Sequence, residues 1–231
     1  MLIKKSGIIK LAVLCSVIKL SSAMANGMVP DTSLLIVNEA DKSSSIDVTN
    51  TDTTPDLLYT NVIDLPDDTG VRLVATEPVA RVEAGQKQLV RFILQTDKPL
   101  TVEHMKRVTF EGIPPKHDNN HEVSINIRQD IPVLIHPTSL PVVKDAWKLL
   151  QWSHSGNSVT VNNPSPYVVR LSEEVFLLPS LTKFDLGKTY VLPGQKITVD
   201  LKKNSTNDNQ VKFSPASRYG VQVDSYTASL K

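Results

Sequence analysis

His117 and His121 lie four residues apart in PKHDNNH (115–121), and they form the histidine pair closest to metal-ligand spacing. Imidazole nitrogens suit Zn²⁺, but a zinc site needs three or four ligands, and four-residue spacing brings two histidines together only on a helix. This stretch is rich in turn formers, so it reads as a solvated connection between strands, and no metal site is expected. The other histidines, His104, His136 and His154, are scattered. No G-x-S-x-G elbow, phosphate loop or H-E-x-x-H occurs. The acid pairs Asp67-Asp68 and Glu173-Glu174 read as a turn and a solvated strand face. Trp147 and Trp152 read as packing residues of a β domain rather than a stacking platform. No catalytic residue, no cofactor site and no enzymatic activity are expected.

The remaining chemistry is that of a strand. In EVSINIRQDIPVLIHP (122–137), Val123, Ile125, Ile127, Ile131, Val133 and Ile135 share one parity, broken only by Gln129. Ser124, Asn126, Arg128, Asp130 and Pro132 occupy the other, where only Leu134 is large and apolar, so one face is apolar and one polar. The alternation persists for about thirteen residues where strands usually run about five or six. Pro132 cannot donate to a ladder and belongs at an edge. A long apolar edge strand invites pairing with another chain, a hazard that soluble proteins normally suppress. Here it is a candidate binding element: a strand edge can engage a partner's backbone while alternate side chains fill pockets. Three branched side chains buried at roughly 1.5–3 kcal/mol each would supply several kcal/mol before ordering costs. Ile131 to Ile135 would anchor the strand in its own domain, and Val123 to Ile127 would be offered outward.

The N-terminus sets the compartment. MLIKKSGIIKLAVLCSVIKLSSAMA (1–25) has flanking lysines, an apolar stretch and the small-residue site Ala23-Met24-Ala25, the layout of a secretory signal peptide. Its removal takes away Cys15, the single cysteine, so core burial must stabilise the roughly 205 residues that remain. Lys and Arg total 25 against 24 Asp and Glu, so no net field points to nucleic acid or an anionic membrane.

Strand-like runs separated by turn residues cover the chain: SLLIV (33–37), SIDVTN (45–50), LLYTNVIDL (57–65), VRLVATE (71–77), QLVRFIL (88–94) and KRVTFEG (106–112), with the long run as the seventh. Seven short strands in about 110 residues is immunoglobulin-like arithmetic. After a proline-stiffened link at Pro137–Pro141, further runs follow: SVTVNN (158–163), YVVRLSEEVFLL (167–178), KTYVL (188–192), KITVDLK (196–202) and YGVQVDSYTASL (219–230). The expected fold is all-β: residues 1–25 a signal peptide, 26–137 an immunoglobulin-like domain carrying the long strand, and 138–231 a second β-sandwich.

Several segments resemble the periplasmic chaperones of the chaperone–usher pathway, which assemble bacterial pili. KSSSIDVTN (42–50) resembles their second-strand motif. EPVARVEAGQKQLVRF (77–92) resembles P-x-x-R-[LV]-x-x-G-x-x-x-x-[IVM]-R, with Pro78, Arg81, Gly85 and Arg91 in place. FEGIPP (110–115) resembles E-[IV]-P-P with Gly112 inserted, and NPSPYVV (163–169) resembles N-P-[ST]-P-Y. The resemblance implies two immunoglobulin-like domains in an L. It also implies a chaperone that binds, folds and caps pilus subunits, then delivers them to an outer-membrane usher. Strand donation by these chaperones is a known form of β-augmentation. The donor residues that match are Val123, Ile125 and Ile127. Conventional members hold the subunit's C-terminal carboxylate with an Arg on the first strand and a Lys on the seventh. Those positions carry Leu34 and Pro132 here, and His136 stands where an Arg usually precedes the hinge proline. This departure resembles the archaic or alternative branch and leaves Arg91, Lys106 and Arg107 as candidate anchors. Partners implied are pilus subunits and the usher, with a self-capping dimer of the free chaperone left open. The alternative from another class is a secreted β-sandwich pilus subunit or adhesin.

Overall fold

The computed structural model describes residues 27–115, 126–201, 207–221 and 223–231, nearly all of them strand, turn or extended chain. The first domain comprises β1 (Met28–Pro30), β2 (Leu35–Asn38), β3 (Ser43–Asn50), β4 (Asp56–Asp64), β5 (Arg72–Ala75), β6 (Val79–Val82), β7 (Lys87–Gln95), β8 (His104–Ile113) and β9 (Arg128–His136). They form a four-stranded sheet in the order β1-β3-β7-β5 and a five-stranded sheet in the order β2-β9-β8-β4-β6. Pairing is antiparallel except where β2 runs parallel to β9, with Leu35 opposite Val133 and Asn38 opposite His136. The first segment therefore crosses from one sheet to the other, and Pro30, which cannot continue a ladder as donor, ends its first half.

Alternation decides the core. In β7, Val90, Phe92 and Leu94 point inward, and they pack with Ile46, Val48, Leu58, Val108, Phe110, Ile131, Val133 and Ile135. Leu89, Arg91 and Ile93 face out, so Leu89 and Ile93 are apolar residues on a wet face. Gly112 on β8 sits close under β1: a Cβ there would lie 3.3 Å from Met28 Cγ, so Met28 would have to give by a few tenths of an ångström, and 3.4 Å from Asp56 Oδ2.

A 3-10 turn, Ala146–Leu149, opens the second domain. Its strands are β10 (Gln151–Ser155), β11 (Ser158–Asn162), β12 (Val169–Leu178), β13 (Lys183–Asp185), β14 (Tyr190–Val191), β15 (Lys196–Asp200), β16 (Gln210–Pro215) and β17 (Tyr226–Ser229). One sheet runs β10-β11-β15, and the other runs β13-β12-β16-β17 with β14 beside β12. Trp152 is buried against Phe213 at 5.4 Å between ring centroids, and Trp147 packs on the same core, so both tryptophans are packing residues. The terminal run expected over 219–230 is a strand only over β17, and β16, formed by QVKFSP, lies outside the expected runs. β1, β6, β10 and β13 are likewise additions to the sequence reading.

Candidate functional site: an open strand edge ending at a basic cleft

β9 pairs with β8 from Arg128, opposite Glu111, to Ile135, opposite His104. On its other edge β2 covers Val133–His136 and nothing earlier among the described residues. Arg128–Pro132 therefore present an open edge, and Pro132 stands just before β2 begins, where a missing N–H costs the sheet least. Ile131, Val133 and Ile135 are buried, whereas Ile127, of the same parity and just before β9 begins, is 37% exposed. Val123 and Ile125, like His117 and His121, lie outside the described residues.

The open edge ends at the boundary between the domains. Leu34, Leu65, Met105 and Leu134 of the first domain pack there with Val168 and Leu192 of the second. Two acids lock this apolar contact. Glu103, 1% exposed, receives Arg218 Nη1 at 2.5 Å, faces His136 Nδ1 at 2.8 Å and accepts the Val168 N–H at 3.0 Å. Its own N–H donates to Pro166 O at 2.8 Å. Asn163, wholly buried, donates to Tyr167 O at 2.8 Å and Val191 O at 3.0 Å, and the Tyr167 hydroxyl donates to Pro141 O at 2.9 Å. The NPSPY segment thus shapes a loop whose backbone meets Glu103.

The second acid adds to the sequence reading. Asp67-Asp68, expected as a turn, is a turn whose carboxylates are both engaged. Asp68 Oδ2 accepts the Met105 N–H at 2.5 Å, and Oδ1 lies 2.6 Å from His104 Nδ1. Asp67 reaches the second domain, accepting from Lys188, from the Tyr190 hydroxyl at 2.9 Å and from Gln195 at 2.7 Å. The pair does lie in a turn, the Asp68 N–H donating to Leu65 O at 3.1 Å, but Asp67's partners are over a hundred positions away and no local pattern shows them. Burial raises the Asp67 pKa, but the hydrogen bonds from Lys188, Tyr190 and Gln195 outweigh it and hold the carboxyl below its ordinary range. Burial and then the Asp67 bond push Tyr190 up to about 12. A depressed folded pKa contributes stability that is present above the unfolded carboxylate range and lost as pH falls through the folded value. Asp67→Asn should therefore lower the melting temperature at neutral pH, with the difference shrinking below about pH 4. A difference unchanged down to strong acid in a Tm–pH series would contradict this.

Beside the end of the open edge is a cleft of about 310 Å³ lined by Arg107, Pro132, Arg170, Leu171 and Thr189. Arg107 stands opposite Pro132 and gives Nε to Asp130 Oδ1 at 2.8 Å and Nη2 to Asp130 O at 3.2 Å. Arg170, from the start of β12, faces the same space.

Comparison with known proteins fits this arrangement. Residues 27–141 match the pili and flagellar-assembly chaperone family, PapD N-terminal domain, and residues 145–227 match the pili assembly chaperone PapD, C-terminal domain. The chain belongs to the pilus-assembly chaperone family. It is 49% identical over 211 residues to the uncharacterised fimbrial chaperone YhcA of Escherichia coli K12, covering 91% of this chain and 93% of that one. It is 33% identical to the probable fimbrial chaperone YfcS of the same strain, covering 73% and 70%. The Salmonella enterica SafB chaperone, solved with SafA pilin, superposes with a TM-score of 0.73 at 17% identity, covering 90% and 99%. The YadV chaperone superposes at 0.71 and 22%, covering 88% and 99%. Both are likenesses of fold. The alternative of a pilus subunit or adhesin is set aside.

In this chaperone the three candidate anchors fall in different places. Arg91 is exposed on the outer face of the β1-β3-β7-β5 sheet, opposite Ser45, on the sheet that does not contain β9. Lys106 is fully buried, its Nζ donating to Asp68 O at 2.9 Å and lying 3.0 Å from Asp64 Oδ1. Arg107 alone of the three lines the cleft. Leu34 is buried in the domain contact and Pro132 lines the cleft, while His136 faces Glu103. Sequence reasoning missed Glu103, Arg218 and Arg170. No local pattern marks them, because each acts across the domain boundary.

Proposed function

We propose that this chaperone works in the periplasm, after removal of residues 1–25, by lending pilus subunits the strand that begins at Glu122. The division between its domains is placed at Pro137. Val123, Ile125 and Ile127 enter the subunit's apolar groove, and the capped subunit passes to an outer-membrane usher. It acts by binding alone, with no catalysis, metal or cofactor. Leu34 and Pro132 at the conventional anchor positions favour the archaic or alternative branch, with Arg91, Lys106 and Arg107 as the basic residues to test. The observation that carries this reading is the open edge of β9 over Arg128–Pro132, with Ile127 exposed at its start, in a chain of this family.

The test is Ile125→Asp with Ile127→Asp, assayed by co-purification of a pilus subunit from the periplasm. A carboxylate cannot enter an apolar groove without a large desolvation cost, yet it can face water in the free chaperone. Recovery should fall to under about a tenth of wild type with the melting temperature little changed. Wild-type recovery would refute the donor assignment.

A further inference from the structure

We infer that Asp52 and Asp56 form an intramolecular cation site for the α-ammonium of Asn26, a group that exists only once residues 1–25 have been removed; the inference rests on that cleavage and is independent of strand donation. Asp56 opens β4 yet is 4% exposed, and its Oδ1 is buried without a hydrogen-bond partner. A buried carboxylate oxygen that no donor reaches is costly and calls for an explanation. Asp52 stands beside it, close enough for the two carboxyls to hydrogen-bond, which they can do only by sharing a proton. Burial first, then the Asp52 bond and charge, push the Asp56 carboxyl above its ordinary range. Among the described residues, no lysine, arginine or histidine makes an ion pair with either acid. The pair therefore lacks a counter-charge.

The ladder identifies which cation. β1 is antiparallel to β3 with Met28 opposite Asn50, and the Thr51 N–H and hydroxyl both donate to Gly27 O, at 3.0 and 2.9 Å. This register, continued by one position, leads from Asn26 to Asp52. Asp56 reaches the same end of β1: a Cβ built on Gly112 would lie 3.4 Å from Asp56 Oδ2 and 3.9 Å from the Met28 nitrogen. In the precursor, position 26 carries a neutral peptide N–H; cleavage after Ala25 replaces it with an ammonium. That charge, with its three donors, would satisfy Oδ1 and offset the repulsion between the two acids. Calcium fits less well, since it takes six to eight oxygens and no group of three acidic or histidine side chains gathers among the described residues. The site also lies at the root of the donor strand, because a Cβ on Gly27 would be 3.7 Å from Ile127 Cβ. Leader removal thereby fastens the chain end beside the start of that strand.

The test uses the full chain secreted to the periplasm, with its first residue read by intact mass. The α-amine is then acylated with limiting reagent at neutral pH, and the rate is followed on the N-terminal peptide. An opposite charge holds an amine protonated, so native wild type should react about tenfold more slowly than Asp52→Asn with Asp56→Asn. An amine held this way contributes stability that is present below its unfolded range and lost as pH rises through its folded value. Between about pH 7 and 10 the wild-type melting temperature should therefore fall roughly 2–4 °C further than that of the double variant. A merely structural pair of acids would move neither readout. A first residue other than Asn26 overturns the inference together with the cleavage reading. Asn26 first, with equal acylation rates in wild type and variant, overturns the inference alone. Should the double variant fail to fold, native wild type is compared with wild type in urea, and equal rates there overturn it as well.

Discussion

Glu103→Leu is expected to lower the melting temperature by roughly 10 °C, because breaking a buried ion pair from one side costs about 3–5 kcal/mol in a chain of this size. Glu103 is fully enclosed between Arg218 and His136 and also holds the Val168 N–H. Without the carboxylate, Arg218 stays almost wholly buried with its counter-charge gone. Both nitrogens of His136 face acceptors, Glu103 Oε1 at 2.8 Å and Leu140 O at 3.1 Å, so the ring also loses the partner that orients it. Replacing Glu103, His136 and Arg218 together by apolar residues should cost less than Glu103→Leu alone, since no charge is then stranded. Calorimetry on both variants checks this: a triple variant less stable than the single one would mean that the cluster stabilises beyond mutual compensation.

Gly220→Val should be nearly as damaging, and its effect should concentrate at the domain contact. Gly220 has φ +79°, a conformation strained for a β-branched residue, and its Cβ would sit 2.9 Å from Ser33 Oγ and 3.1 Å from Leu34 Cβ. The left-handed backbone costs roughly 1–2 kcal/mol and the overpacking about 1–3 kcal/mol more. The two sandwiches should remain folded while they separate, so limited proteolysis should cut the Pro137–Pro141 link faster by about tenfold or more. Far-UV circular dichroism should stay near wild type. Uniform acceleration of cleavage throughout the chain, rather than at the link, would contradict this assignment.

How much of this was legible beforehand depended on sequence distance. The alternation of Ile131, Val133 and Ile135 marked the core face of β9, and Pro132 marked an edge, because both signals are local. Short strands were harder: β1, β6 and β13 have three or four residues, too few for a period to show. QVKFSP does alternate, yet it follows the polar NSTNDNQ run, which hid its start. Arg91 could not be oriented from QLVRFIL because Leu89 and Phe92 disagree in parity. The conflict resolves when Leu89 proves exposed. Lys106 looked available as a cation, but alternation turns it inward, where its long side chain reaches Asp68 O and Asp64 at the end of the core. Arg107, one position on, faces the cleft for the same reason. Glu103, Arg218, Asp67 and Arg170 are meaningful only once two domains meet, and no window of sequence contains both partners.

The most direct test of strand donation uses its period. Photo-crosslinking amino acids would be placed singly at positions 123, 124, 125, 126 and 127 of the chaperone, expressed in the periplasm with its pilus subunits. The donor account predicts strong crosslinks to a subunit from 123, 125 and 127 and weak ones from 124 and 126, since alternate side chains of a strand face opposite sides. Equal crosslinking at both parities, or crosslinks confined to 124 and 126, would show that the strand is not donated by this face.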